Sequence, residues 1–392
     1  MVDAGPYLPV GKSANVLFIR IKRLILPILG GLLAGSAAAA PYTPAEDAEV
    51  LERLPVRRSD PVMAELRTLR GAALARRYFE LAMAEGDPRY VGYAEAALRG
   101  QTEPAADVAF VHGLLKQYRH DFDGALADFE RVLRVDAEHV GARSWRAAIY
   151  MVRADYAAAR EECRRLDEIA SELLSAGCRA AVEGATGNAR RGYEELRAAL
   201  ERRADAAPEI RLWAMTRLGE LAARLGERAA AERHFRAAES LGLKDNYLLA
   251  AHADFLLEEG RARDVSDLLK GSSSSDTLLL RLAIAARQQA LAEAQKHSQS
   301  LGERFAASAL RGERLHLAEE ARYLLELKGD ARGALAAALE NWKTQREPRD
   351  AAVLLEAALA AHEAKAAAPA LRWLDESGFE GARLRRLAAQ LR

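Results

Sequence analysis

Small residues recur along this chain in a fixed relation to larger apolar ones. Ala125 is followed four positions later by Phe129. Ala159 with Cys163, Gly192 with Leu196, Ala231 with Phe235 and Val265 with Leu269 repeat the pair in steps of 34, 33, 39 and 34. Further on, Ala334 with Ala338 and Ala370 with Leu374 carry the same pair at a step of 36. Twelve residues before each of the first five small positions stands another small residue: Gly113, Ala147, Ala180, Gly219 and Ala253. Five residues before each of those five pairs stands a turn-like residue: His120, Ala154, Gly187, Gly226 and Gly260. A spacing of four keeps two side chains on one helix face. The pattern therefore predicts two helices per unit with a break between them, the small residues letting the paired helices approach closely. The step of 39 predicts a longer loop between units near Glu201 to Pro208.

Capping signals agree with these helices. Ser59-Asp60-Pro61 and Asp87-Pro88 each place a capping residue ahead of a first-turn proline. Asp350, after Pro348, opens a helix over 351–361. The run Gly271-Ser272-Ser273-Ser274-Ser275-Asp276 predicts a joint and a cap before a helix from Thr277.

These residues resemble the tetratricopeptide repeat family, whose signature is W-x2-L-G-x2-Y, then A-x3-F, then proline. The best unit runs Met215-x2-Leu218-Gly219-x2-Ala222, then Ala231-x3-Phe235. Another has Gly113, Tyr118, Phe122, Ala125-x3-Phe129 and Asp136-Ala137. The resemblance covers Ala106 to Gly271 and extends in weaker form over Pro61 to Gly100 and Gly312 to Gly378. It implies an all-α, right-handed superhelical solenoid of antiparallel helix hairpins, with roughly seven to nine units. It also implies that the first helix of each unit lines a concave face. The expected organisation is a leader over 1–40, an arm over 41–60, a repeat block over 61–271 and a second helical block over 272–392.

Composition adds an address. Arg20, Lys22 and Arg23 precede an apolar run from Leu24 to Leu33 and then the small residues Ala37 to Ala40. Charge, apolar stretch and small residues make the pattern of a secretory signal peptide, with cleavage expected after Ala39 or Ala40 and a periplasmic destination. The stretch is short for a membrane span and contains Pro27, Gly30 and Gly31. Aromatic residues are only 6% of the chain while hydrophobic residues are 50%; alanine dominates, which suits closely packed helices and not strands. Lys+Arg and Asp+Glu number 57 each, so no polyanion footprint is expected.

Export makes the two cysteines informative. Cys163 and Cys178 flank a predicted inter-helix turn at Asp167 to Ser171, each about seven residues from its middle, so in an antiparallel hairpin they lie level. An oxidising compartment favours a disulfide between them.

Catalytic and metal signatures are missing from the sequence. The eight histidines form no H-x3-H pair, and Cys-x2-Cys, G-x-S-x-G, Walker and G-x-G-x-x-G patterns are absent. No cofactor or metal is expected. Binding is the stronger possibility. Trp213 and Tyr247 stand one repeat step apart, as do Glu220 and Asp254, and within each unit aromatic and acid are seven apart, two turns on one face. This predicts an aromatic stripe beside an acidic stripe in the concave groove, with Phe110, Leu114 and Met151 extending an apolar floor. Such a groove suits an extended or helical peptide with apolar and basic side chains. The Lys, Asn and Arg positions by which some family members hold a carboxylate are here Phe110, Leu114, Ser144, Ala148, Thr216 and Glu220. The expected function is a non-catalytic scaffold for a protein or peptide partner in the bacterial envelope. The alternative is a helical solenoid that handles or cleaves a cell-wall or exported polysaccharide.

Overall fold

A computed structural model describes residues 61–101, 106–313 and 316–392. The expected leader and arm, 1–40 and 41–60, lie outside the described residues. Helix α1 (Pro61–Thr68) belongs to a separate unit. Everything from Leu69 to Arg392 forms one compact unit, and among its described residues there is no strand.

That unit is an all-α solenoid of consecutive antiparallel hairpins. The first six are α2 (Gly71–Glu85) with α3 (Arg89–Leu98), α4 (Ala106–Tyr118) with α5 (Phe122–Val135), α6 (Val140–Val152) with α7 (Tyr156–Ile169), α8 (Glu172–Ala185) with α9 (Ala189–Arg202), α10 (Pro208–Arg224) with α11 (Arg228–Glu239), and α12 (Asn246–Glu258) with α13 (Ala262–Leu268). Then come α14 (Asp276–Gln288) with α15 (Glu293–Leu310), and α16 (Leu317–Tyr323), prolonged by a π-helical turn at Leu324–Lys328, with α17 (Ala331–Trp342). Last are α18 (Pro348–Ala360), a 3-10 turn at Ala364–Ala367 leading into α19 (Ala368–Ser377), and α20 (Ala382–Leu391), which packs back on α18.

The phased small residues are what hold each hairpin together. A Cβ placed on Gly113 would come to 2.6 Å from the Phe129 ring, and one on Gly219 to 2.7 Å from Phe235. Both glycines precede their aromatic partner by the same interval. Ala147, Ala180 and Ala253 are likewise buried, as are Cys163, Leu196 and Leu269, which follow them at that interval. The small residue of the first helix thus seats the large one of the second. The five predicted breaks are all left-handed turns: His120, Ala154, Gly187, Gly226 and Gly260 have φ of 60°, 58°, 79°, 77° and 72°. That conformation reverses the chain within a few residues and stops the first helix. The long connection is present too, between Arg202 and Pro208.

Local chemistry explains the helix starts. Asp121, Asp155, Asp245 and Asp330 accept from backbone N–H groups three residues on, at 3.0, 3.1, 2.7 and 2.9 Å, satisfying donors that a helix leaves unpaired. Pro348 begins α18 two residues before the cap signal at Asp350. The Asp350 carboxylate reaches back to accept from the Glu347 N–H at 2.9 Å, half of a capping box. Ser275 caps α14, accepting from Leu278 N–H at 3.4 Å.

Successive first helices (α2, α4, α6, α8, and on through α10, α12 and α14) pack side by side in one layer, with the second helices behind them. One hydrophobic cluster runs from Leu173 to Tyr323 across Gly271 without interruption; others cover Ala75 to Val152 and Ala321 to Ala388. The layer returns on itself. Helix α12 packs on α2, Lys244 Nζ lies 3.2 Å from Glu85 Oε1, and a Cβ on Gly86 would meet both Asn246 and Ser275. The last hairpin then lies across the turn ends of hairpins three to six. Arg346 N–H donates to Val152 O at 2.7 Å, Trp373 Nε1–H to the Tyr156 hydroxyl oxygen at 2.9 Å, and Ala189 N–H to Glu380 Oε2 at 2.8 Å. Arg224 stacks over Phe379 at 5.1 Å, and Arg383 pairs with Glu258 and Glu356.

Candidate partner-binding face

Of the residues expected to form two stripes on the first-helix layer, Tyr247 and Glu220 touch each other. Tyr247 on α12 donates its hydroxyl proton to Glu220 Oε1 of α10 at 2.6 Å. Arg217, one turn before Glu220, donates to both: to Glu220 Oε2 at 2.8 Å and to the Tyr247 oxygen at 3.2 Å. Its guanidinium also lies 4.9 Å from the Tyr247 ring centre. The next hairpin repeats the arrangement. Asp254 on α12 receives Arg281 of α14 on Oδ2 and Arg322 of α16 on Oδ1, the latter at 2.6 Å, and Arg322 also donates to Glu326 at 2.5 Å. Tyr247 follows Glu220 by 27 residues, and Arg281 follows Asp254 by 27. Adjacent hairpins therefore build one motif, an acid on one first helix gripped by a donor on the next.

The remaining predicted residues fall into different settings. Trp213 is half-buried on α10 and lies over Gly177 of α8, where an added Cβ would come to 2.0 Å from the ring. Met151 is half-buried beside the small cluster of Ala159, Cys163 and Val182. Phe110 and Leu114 are a correction. Both are buried in the core, Phe110 against Phe129 with ring centres 5.7 Å apart, so they support the first-helix layer from behind and form no open floor. The reason is the pairing geometry: the Phe129 ring of the second helix fills the space at Gly113 and lies against Phe110, and Leu114 belongs to the same buried cluster. Cys163 and Cys178 are joined by a disulfide, with Cα atoms 5.5 Å apart, from α7 to α8.

Charge in this seam is enclosed but wet. The side chains of Glu220 and Asp254 keep 20% and 30% exposure, while Arg217 and Arg281 keep 8% and 5%. Burial works to raise the Asp254 carboxyl, but the attraction of Arg281 and Arg322 overcomes it and brings the group down to about 2. Burial pushes the Tyr247 phenol well above its ordinary range. Asp350 titrates in the opposite sense from Asp254: burial, reinforced by the Glu347 carboxylate, raises it to about 6 against the pull of Arg349.

The arginines are what sequence reasoning missed. Charged residues on amphipathic helices read as solvated faces. The signal was nevertheless present, because the step from Trp213 to Tyr247, taken once more, lands on Arg281.

No family model matches the chain, and no curated protein matches its sequence. Among solved structures, it is similar to the crystal structure of yeast Tom70. The two share 14% sequence identity with a TM-score of 0.42, over 81% of this chain and 73% of that one. The repeat geometry of this chain is that of an all-α helical solenoid: paired helices that recur at nearly constant intervals, keyed by small residues in fixed phase. Among the described residues, no group of three or more His, Cys, Asp or Glu side chains is placed to hold a metal, and no helix is long and apolar enough to cross a membrane.

Proposed function

We propose that the protein is a non-catalytic scaffold that binds a protein or peptide partner in the bacterial envelope through its first-helix layer. The observation that carries this reading is the seam of Glu220, Tyr247 and Asp254. Its carboxylates stay water-accessible while the arginines that neutralise them are nearly buried. Enclosed ion pairs cost desolvation and add little net stability, so a row of them along one face of a repeat array is better suited to exchange with a guest than to holding the fold. Basic side chains of the guest would take the exposed lone pairs of Glu220 and Asp254, and Trp213 and Met151 would supply apolar contact. Phe110 and Leu114 then contribute only as support beneath.

The address rests on two features. Residues 20–40 carry the charge, apolar and small-residue order of an exported chain, and a disulfide suits an oxidising compartment. A photoreactive amino acid placed at Trp213 or Tyr247 tests the proposal in cells. The reading expects one discrete crosslinked envelope protein from both positions and none from an outer-layer position such as Arg236. Crosslinks confined to the chain itself at both inner positions would remove the groove from the account.

A further inference from the structure

A second feature lies away from the acidic seam, where the end of α6 meets the connection between α17 and α18. A cleft of about 340 Å³ is lined there by Tyr150, Arg153 and Asp155 on one side and by Lys343, Thr344 and Arg346 on the other. Three cations and one carboxylate share this lining. The carboxylate of Asp155 is engaged as the cap of α7, accepting from Ala158 N–H. Arg153 pairs with Asp123 and Lys343 with Glu340, but all four side chains are exposed. Pairs of that kind are weak in water and exchange readily. Arg346 makes one side-chain hydrogen bond, from Nε to Trp342 O at 3.3 Å, and meets no carboxylate among the described residues. The Tyr150 oxygen accepts from Arg146 at 3.4 Å, which leaves its own proton to donate.

We propose that this cleft binds a phosphate group. Two guanidinium groups, an ammonium and a phenolic hydroxyl offer more donors than the two oxygens of a carboxylate use, and match the three terminal oxygens of a phosphate monoester. The volume accommodates a small ligand and not a bare ion alone. Because Arg153 belongs to the third hairpin and Lys343 and Arg346 to the C-terminal part, the bound group would tie the two together beside the Arg346–Val152 backbone bond.

Calorimetric titration of the full chain with inorganic phosphate, and flotation with vesicles containing a phosphomonoester lipid headgroup, test this and distinguish a free from a lipid-borne phosphate. Arg346→Ala and Lys343→Ala remove side chains from the cleft wall, and circular-dichroism melting checks that both variants still fold. Saturable binding in either arm that weakens at least tenfold in both variants supports the site. Binding in neither arm, or binding that weakens less than tenfold in either variant, overturns it.

Discussion

Arg322 Nη1 lies 2.6 Å from Asp254 Oδ1, joining residues 68 positions apart. Asp254 also receives Arg281, so one carboxylate is shared by two arginines, whose side chains are 5% and 17% exposed. Removing its charge leaves Arg281 without its carboxylate and Arg322 with Glu326 alone, in a poorly solvated seam. Asp254→Asn should cost about 2–3 kcal/mol, less than the 3–5 typical of a fully buried broken pair because water still reaches this one. Urea unfolding at neutral pH measures it. The carboxyl is held at about 2, below its ordinary 3.8, so its contribution is complete above about pH 4 and is lost as pH falls toward 2. The gap between wild type and Asp254→Asn should close across that window; a gap that persists at pH 2 would show that charge is not its source.

Asp350 gives the opposite pH dependence. Its carboxyl is raised from its ordinary 3.8 to about 6, so the folded chain keeps a proton that the unfolded chain releases; the stability this gives is complete below about pH 4 and is lost as pH climbs to about 6. An asparagine oxygen can still accept the Glu347 N–H that Asp350 accepts now. Wild type should therefore lose melting temperature relative to Asp350→Asn between pH 4 and pH 7. Parallel melting curves across that range would contradict the assignment.

The Cys163–Cys178 bond closes a loop of 15 residues across the turn from α7 to α8. Constraining the unfolded chain over such a loop is worth about 3 kcal/mol. Reductant should lower the melting temperature of wild type and leave a Cys163→Ser, Cys178→Ser variant unchanged. A thiol assay on denatured, unreduced protein should find no free thiol.

Trp213 and Gly177 are matched in size. Gly177→Ala forces the indole off its seat, since the new carbon would sit 2.0 Å from the ring. Overpacking of this kind costs about 1–3 kcal/mol. In a Trp213→Ala background the same change should be nearly neutral, giving a coupling energy of similar size in a double-mutant cycle. Equal costs in both backgrounds would mean that the ring does not lie there.

The repeat frame was legible because it depends on local size complementarity. Gly113 with Phe129 and Gly219 with Phe235 must recur in phase wherever two helices pack closely, and left-handed turns at His120 or Gly226 fall at a fixed distance from those pairs. Helix starts were read to within a few residues, as at Pro348, because caps are local. The site was only half legible. Spacing placed Tyr247 near Glu220, yet nothing local distinguishes Arg322 or Arg383 from ordinary solvated arginines, since their partners arrive from 68 and 125 residues away. Phe110 and Leu114 went the other way. Helical periodicity located their face without telling which of two packed layers it would meet.

The account rests on the first-helix layer returning on itself, so that the sixth hairpin meets the first and the acidic seam is enclosed by the chain's own later hairpins. A zero-length carbodiimide crosslink mapped by mass spectrometry tests this most directly, because Lys244 Nζ stands 3.2 Å from Glu85 Oε1 across 159 residues of sequence. The predicted result is a Lys244–Glu85 amide in the monomer fraction, abolished by Glu85→Gln. Local links such as Lys343–Glu340 forming in good yield while Lys244 stays uncoupled to Glu85 would contradict it.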